Sequence, residues 1–366
     1  MSRFLLAVTL GCVAWTALSQ DLPQFSIHGT VVDAVSGEPL PNVNIYLSNT
    51  TRGTTTNLEG EFVLRNVPAG LYELVSSMVG YERQVVRYRA VEEPKEGLRI
   101  RMKQIAIETQ PVEVLAEDPV EWRINLETFR DYIFGNTRNG SRCVIRNPEV
   151  LDFTVEKGGR FTASARQPLL VENPELGYTL EFGLSLFEVD GALFRYGGTV
   201  LFTPLEGSPE EQAEWEEARK RAYRGSLRHF CTALAMNRVA EEGFRISTMH
   251  QIPATMKGAV ARERVKAEDI LFPGRYSFER RLVFDHFLMV EYLPESPEPG
   301  FHRFWSRQAG FGQYTEGHQI SWLKLDFQDV RMNIDGNLYD PFSLKTYGYW
   351  SFERLGEWLP LEYRPG

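Results

Sequence analysis

Hydrophobic and polar residues alternate in short runs along residues 25–81. Within residues 42–47, for example, Val43, Ile45 and Leu47 fall on one face of an extended strand, and the intervening residues fall on the other face. Turn residues separate these runs: Ser36-Gly37, Asn57-Leu58-Glu59-Gly60 and Val67-Pro68-Ala69-Gly70. Short alternating runs at such close spacing predict a small antiparallel β-sandwich.

The chain beyond residue 120 mixes strand patterns with helix patterns. Helices are expected around residues 121–133 and 226–241, and strands at 276–292 and 319–334. Six further runs, bounded by Gly, Asn or Pro, predict strands at residues 143–146, 151–155, 160–165, 168–172, 177–188 and 193–203. This order predicts an α+β domain with a largely antiparallel sheet.

The clearest helix signal begins at Ser208. Ser208 can cap the helix, Pro209 suits its first position, and Glu211 completes a capping box. Acidic residues fill the first turns, which suits the helix dipole. Basic residues fill its end: Arg219, Lys220, Arg221 and Arg224. We interpret this charge as a solvated helix surface rather than an anion-binding patch.

The N-terminal pattern also carries a family resemblance. Its matching motifs are Gly29-x-Val31-x-Asp33, Gly37-Glu38-Pro39-Leu40-Pro41-Asn42-Val43, Gly53-Thr54-x-Thr56-Asn57-x-x-Gly60-x-Phe62 and Val79-Gly80-Tyr81. This segment resembles the carboxypeptidase-like regulatory domain, a seven-stranded transthyretin-like sandwich. That domain follows the catalytic unit of some zinc carboxypeptidases and precedes many outer-membrane TonB-dependent transporters. The resemblance implies a scaffold and does not supply an activity.

Local strings further along the chain resemble uncharacterised envelope proteins of the Bacteroidetes, in which such a domain comes first. They are Asn147-Pro148-Glu149-Val150-Leu151, Glu172-Asn173-x-x-Leu176-Gly177-Tyr178, Tyr223-x-Gly225-Ser226-x-x-His229-Phe230 and Gly348-Tyr349-Trp350-Ser351. This second resemblance carries no catalytic residues to transfer. It implies a cell-envelope location.

The first nineteen residues are expected to be a signal peptide. Arg3 supplies the positive charge, residues 4–15 form an apolar run, and Ala17-Leu18-Ser19 offers small residues before cleavage at Gln20. The mature protein is therefore expected to be exported, to the periplasm or to the outer membrane or cell surface. Membrane attachment is expected only if Cys12 is lipidated, and the sequence before Cys12 lacks the Leu typical of such sites.

These signals divide the chain into a signal peptide (1–19), a regulatory-type β-sandwich (20–105), a linker (106–120) and an α+β domain (121–366). The formal net charge is −9, and no basic stripe is present, so nucleic acid is not an expected partner. Cys143 and Cys231 remain after cleavage. They either pair in an oxidising compartment or stay as separate buried thiols, and we favour unpaired thiols.

A zinc carboxypeptidase is the first activity to test against the sequence. Its active site needs His and Glu ligands at close spacing and a further distant His. Of the six histidines, none has a Glu three residues downstream, and no HExxH motif is present. The sequence therefore predicts no metal site and no cofactor.

Ser226 and His229 lie three residues apart at the expected start of a helix. As a nucleophile and base they would also need an orienting acid and an oxyanion hole. The alternative is that Ser226 caps the helix and His229 hydrogen-bonds within the packed structure. No G-x-S-x-G context surrounds the serine, so we favour the capping role.

Aromatic residues are the last candidates for a binding site. Trp305, Phe311, Tyr314 and Trp322 cluster around the Gly-rich segment 309–312, which has the composition of a mobile loop. Exposed aromatics on a rigid sheet suit stacking on sugars or packing on a protein partner. A buried aromatic core is the alternative, and we favour it.

The sequence as a whole favours a secreted, non-enzymatic interaction protein. Its expected partner is an envelope protein or a glycan. The competing hypothesis is a hydrolase of an unrecognised type that uses Ser226 and His229.

Overall fold

The computed structural model describes residues 22–92, 94–105, 119–252, 263–307 and 314–365. The predicted signal peptide with Cys12, most of the predicted linker, and Phe311 lie outside the described residues. Among the helices that are described, none is long and apolar enough to cross a membrane.

The N-terminal segment forms seven strands within the described residues. They are β1 (Gln24–Asp33), β2 (Asn44–Leu47), β3 (Gly53–Thr55), β4 (Glu61–Pro68), β5 (Gly70–Ser77), β6 (Gln84–Ala90) and β7 (Leu98–Met102). One sheet has the order β4-β1-β7, and the other has the order β3-β2-β5-β6. Neighbouring strands are antiparallel except β1 and β7, which are parallel. The predicted seven-stranded sandwich is confirmed.

Alternation along β2 explains how the sandwich closes. Val43, Ile45 and Leu47 are fully buried in its apolar core, on the face that the sequence predicted. Tyr46 lies on the opposite face and is fully buried as well. Its hydroxyl is 3.3 Å from the Thr199 hydroxyl, so this outer face of β2 is covered by the rest of the chain.

The described part of residues 119–365 contains helices and antiparallel sheets. Its helices are α1 (Pro119–Phe134), α2 (Pro209–Tyr223), α3 (Leu227–Ala235), α4 (Ala267–Ile270), α5 (Pro299–Ser306) and α6 (Tyr349–Phe352). Its first strands are β8 (Val144–Ile145), β9 (Leu151–Val155), β10 (Phe161–Ala165), β11 (Leu169–Asn173), β12 (Tyr178–Asp190) and β13 (Leu193–Pro204). These six strands form one sheet and match the six predicted runs closely.

The later strands form two more sheets. They are β14 (Phe244–Met249), β15 (Glu263–Arg264), β16 (Leu271–Pro273), β17 (Glu279–Leu282), β18 (Phe287–Tyr292), β19 (Gln319–Leu325), β20 (Val330–Asn333) and β21 (Leu344–Gly348). The larger sheet has the order β15-β14-β18-β19-β21, and the smaller has the order β16-β17-β20. Every pairing is antiparallel, so the predicted α+β fold with a largely antiparallel arrangement is confirmed.

Three apolar clusters hold the described part of this region together, and the two thiols lie in two of them. The first joins α1 and α2 to the six-stranded sheet and contains Cys143, and the second joins α3 to the later sheets and contains Cys231. Both thiols are free and buried, and burial raises the pKa of each to about 12. The favoured interpretation of two unpaired thiols is therefore confirmed.

Helix ends follow the local sequence rules with one exception. The α2 capping box is present, with Glu211 N donating to Ser208 Oγ and Ser208 N donating to the Glu211 carboxylate. The prediction that the following helix extends to residue 241 is wrong, because α3 ends at Ala235. Asn237 adopts the left-handed conformation (φ 55°), which is typical of the residue that follows a helix end.

The sandwich is hydrogen-bonded to the six-stranded sheet. The loop after β2 exchanges backbone hydrogen bonds with β13: Asn49 N donates to Val200 O (2.6 Å), and Phe202 N donates to Thr50 O (2.9 Å). Asn49 O also accepts from Leu361 N (2.8 Å), near the C-terminal end of the described chain. The sandwich is therefore tied to the rest of the molecule by backbone pairing as well as by side chains.

Candidate functional site

The predicted binding aromatics do not form a platform. Trp305, Tyr314 and Trp322 are 2, 4 and 0% exposed, and Trp305 stacks on Trp322 with ring centroids 5.7 Å apart. They belong to a compact aromatic core in which α5 packs against β19, together with Phe301. Moving rings of this size out of water into an apolar core stabilises the fold. The favoured alternative, a buried aromatic core, is therefore confirmed for these three residues, and Phe311 is not described.

Ser226 and His229 take the structural roles that were weighed against catalysis. Ser226 is the N-cap of α3, and its hydroxyl accepts from His229 N at 3.2 Å. The His229 ring is buried, where Nδ1 accepts from Gly225 N (3.1 Å) and Nε2 lies 3.3 Å from Glu242 Oε2. Because Nδ1 accepts a hydrogen bond, Nε2 carries the proton of the neutral ring and donates to Glu242.

Burial lowers the pKa of His229, and the Glu242 carboxylate opposes this shift only in part. Both ring nitrogens are engaged, so neither is available to deprotonate Ser226. The geometry therefore supports the capping role. In the part of the chain that the structure describes, no group of three His, Cys, Asp or Glu side chains is placed to hold a metal ion.

A concavity with a mainly polar lining lies among six segments of the α+β region, and we call it the polar cleft. Its volume is about 150 Å³. It lies between the end of α2, the turn before Gly140–Arg142, the loop after β18, the start of β19, α6 and the turn Leu355–Glu357. Its charged lining residues are Arg138, Arg221, Arg224, Glu295, Glu298, Glu353 and Glu357. Neutral polar groups complete the lining: Asn139, Ser296, Gln319 and Tyr349.

Two glycines allow these distant segments to meet. A Cβ atom on Gly356 would lie 2.3 Å from Gly140 Cα, so the two turns approach each other backbone to backbone. Gly225 has φ 74° and leads from α2 into α3, and a Cβ atom there would lie 2.6 Å from Gln319 Oε1. Larger residues at these positions would push the walls of the polar cleft apart.

Glu357 is the central acid of the polar cleft. Asn139 Nδ2 donates to its Oε2 at 2.7 Å, whereas its Oε1 is buried and has no hydrogen-bond partner among the described residues. Burial raises the pKa of Glu357 to about 7, and the nearby Thr137 and Asn139 side chains limit that rise. The carboxyl group therefore changes its protonation state near neutral pH.

Glu353 is a second acid of the polar cleft whose pKa is raised. Burial raises the pKa of Glu353 well above 4.5, and the neighbouring acids Glu357, Glu298 and Glu295 add to the rise. The same environment raises the pKa of Glu295, although Arg224 and Arg221 counteract the effect of its burial. Carboxyl groups that share one desolvated space cannot all ionise together.

Gln319 supplies a second buried group without a partner. The residue is 5% exposed, and its Oε1 has no hydrogen-bond partner among the described residues. A buried polar atom left unpaired costs about 1–3 kcal/mol. Two such oxygens, from Gln319 and Glu357, border the same concavity.

The sequence analysis did not identify the polar cleft. Tyr349, Trp350 and Phe352 of α6 are buried aromatics. Glu353 and Glu357 follow those aromatics in the sequence. Acids within an otherwise apolar segment were the signal that could have pointed to the polar cleft. The basic residues Arg221 and Arg224 were interpreted as solvated surface; both are exposed, and they also line the polar cleft.

Comparison with known families identifies the N-terminal segment. Residues 27–114 match the family model of the CarboxypepD_reg-like domain, so the predicted resemblance is confirmed for that segment. The matched family is that of a regulatory domain and indicates no catalytic activity. Among curated proteins, no sequence matches this chain.

Solved structures show only weak similarity. A proposed carbohydrate-binding protein from Bacteroides uniformis ATCC 8492 is 12% identical, and the match covers 52% of this chain and 82% of that one, with a TM-score of 0.20. A proposed membrane-associated protein of unknown function from Bacteroides fragilis NCTC 9343 is 11% identical over 89% of this chain and 95% of that one, with a TM-score of 0.19.

A chain of a type II cohesin–X-dockerin complex from Acetivibrio cellulolyticus is 16% identical. That match covers 21% of this chain and 56% of the other chain, with a TM-score of 0.19. At TM-scores this low, the three similarities carry no argument about function.

Proposed function

We propose that this protein is an exported, non-enzymatic binding protein of the cell envelope, and that the polar cleft binds one sugar unit of a glycan. The proposal keeps the division into a signal peptide (1–19), a sandwich (20–105), a linker (106–120) and an α+β domain (121–366). In this division the sandwich is the scaffold, and the α+β domain carries the ligand site.

The observation that supports the proposal is that two residues lining the polar cleft, Gln319 and Glu357, each carry a buried oxygen with no hydrogen-bond partner among the described residues. A ligand that donates hydrogen bonds to them would remove a cost of about 1–3 kcal/mol each. Sugar hydroxyl groups both donate and accept, and the lining offers both kinds of partner. A polar lining with few apolar groups suits a sugar better than an apolar ligand.

The size of the polar cleft is consistent with one ring. A cavity of about 150 Å³ is known to hold a six-membered ring such as benzene, and the polar cleft has the same volume. The same space would hold about five water molecules, each with a share of about 30 Å³. Water is therefore the competing occupant, and the experiment must separate the two.

An envelope protein is the other partner class that the sequence suggested. The described aromatics that would have formed a contact surface for either partner class are buried, so the glycan is preferred only because of the polar cleft. The hydrolase hypothesis gains no support either, because Ser226 caps α3 and both His229 ring nitrogens are occupied.

A glycan array probed with the mature protein, followed by calorimetry on each hit, tests the proposal. We expect a hit whose affinity falls about tenfold in Gln319→Leu, a loss of about 1.4 kcal/mol. The matched control is Gln212→Leu, which replaces an exposed glutamine in α2. The proposal is overturned if the array gives no hit while an envelope extract yields a bound protein, or if Gln319→Leu binds as well as the unchanged protein.

A further inference from the structure

The polar cleft has unpaired positive charge at its rim. Arg221 and Arg224 are exposed there, and within the described residues neither guanidinium forms an ion pair or a hydrogen bond. They act on Glu295 only through longer-range attraction. Arg138 differs, because it forms an ion pair with Glu175 at 3.4 Å. Two arginines three residues apart at a helix end lie on neighbouring positions of one face.

The inner wall of the polar cleft is less negative than its four glutamates suggest. Burial and the neighbouring acids raise the pKa of Glu353 well above 4.5, and the pKa of Glu357 is about 7. A protonated carboxyl group carries an O–H donor and has no charge. The wall therefore offers hydrogen-bond donors where ionised carboxylates would have offered only acceptors.

We propose that the sugar unit bound in the polar cleft carries a carboxylate, as a uronic acid does, and that Arg221 and Arg224 bind this carboxylate. This inference rests on the proposed function. Arginine binds carboxylates through two parallel hydrogen bonds, and such charge-assisted bonds are about twice as strong as neutral ones. Gln319 and the two inner carboxyl groups then contact the hydroxyl groups of the ring.

An amino sugar is the competing ligand, because four acids line the same space. A cationic ligand would need Glu353 and Glu357 to be ionised, whereas an acidic sugar needs the opposite state, because ionised carboxylates would repel it. The amino group of an amino sugar itself loses its proton at about pH 8, so the two ligand classes are compared at pH 6. Arg138, Glu295 and Glu298 face the same space.

The experiment compares three soluble probes on the mature full-length protein: glucose, glucuronate and glucosamine. Ligand-observed NMR detects weak binding of each at pH 6 and at pH 8.5. We expect glucuronate to bind at least about tenfold more tightly than glucose at pH 6, a difference of about 1.4 kcal/mol. We expect its affinity to fall at pH 8.5.

The matched variants separate specific recognition from general charge. Arg221→Ala with Arg224→Ala should remove the preference for glucuronate over glucose. Arg99→Ala with Arg101→Ala removes the same charge from exposed positions of β7 and should leave the preference intact. A melting temperature measured for each variant identifies any loss that is due to unfolding.

Each outcome bears on one proposal or on both. If all three sugars bind equally, or if glucosamine binds best, the acidic-sugar inference is wrong and the proposed function stands. The inference is also wrong if the Arg221/Arg224 double variant keeps the preference. If no sugar binds at either pH, while the array also gives no hit, both proposals are wrong.

Discussion

The N-terminal sandwich and the polar cleft bury their side chains according to different rules. The sandwich core is apolar, with Ile27, Val43 and Leu74 fully buried. The polar cleft instead encloses Glu357 and Gln319 with oxygens that have no partner among the described residues. The sandwich also contains such an atom, Ser76 Oγ in β5, so an unpaired buried atom does not by itself distinguish the two regions. What distinguishes the polar cleft is the set of charged groups around its unpaired oxygens.

The largest expected effect lies in the sandwich. We expect Ile45→Ala to lower the free energy of unfolding by about 2–5 kcal/mol, because it leaves a cavity in a closed apolar core. Urea unfolding followed by circular dichroism measures this change. Val63→Ala, at a half-exposed position of β4, should cost well under half as much. Equal losses in the two variants would mean that the sandwich core is not close-packed.

An intermediate effect is expected for the way folding stability changes with pH, to which Glu357 of the polar cleft contributes. Folding raises the pKa of Glu357 from 4.5 to about 7, so the folded protein holds this proton more tightly than the unfolded chain does. The stability contribution is complete below pH 4.5 and is lost as the pH rises through 7. A shift of one pKa unit corresponds to about 1.4 kcal/mol. Because water reaches the polar cleft and reduces this effect, we expect the free energy of unfolding to fall by an amount on the order of 2 kcal/mol.

Unfolding in urea at pH 5 and at pH 8 checks this prediction. Glu357→Gln should reduce the difference between the two pH values, because its amide does not titrate. Glu59→Gln, in an exposed turn of the sandwich, should preserve it. A difference that persists in full in Glu357→Gln would show that another group is responsible.

The smallest expected change in stability tests whether Ser226 caps α3 or acts as a catalytic nucleophile. We expect Ser226→Ala to lower the free energy of unfolding by about 1 kcal/mol, because the cap of α3 is lost. Sugar binding in the polar cleft should not change. An unchanged melting temperature, together with the loss of a hydrolytic activity found by broad substrate screening, would instead support the hydrolase hypothesis.

Local patterns predicted much of the fold because the relevant interactions are close in sequence. Ser208 and Glu211 form the predicted capping box, and strand β9 has the predicted bounds. The helix after Ser226 was predicted too long. The spacing of apolar residues gives no sign that Asn237, which follows the end of the helix, adopts a left-handed conformation. Trp305 and Trp322 were candidates for exposure, and only the packing of α5 on β19 shows that both are buried.

The polar cleft was beyond prediction from local patterns. Its walls come from segments near residues 138, 221, 295, 319 and 355, which are separated by long stretches of chain. A raised carboxyl pKa depends on desolvation and on neighbouring charges. Neither quantity can be calculated until the fold has brought those segments together.

The amino-acid sequence by itself determined the sandwich, most strand positions and the helix caps, because alternation and capping act over a few residues. Tertiary structure alone decided which aromatics are buried, that the thiols lie in separate cores, and that acids and arginines share one cleft. Burial and electrostatic coupling depend on distances between segments that are remote in the chain, and folding sets those distances.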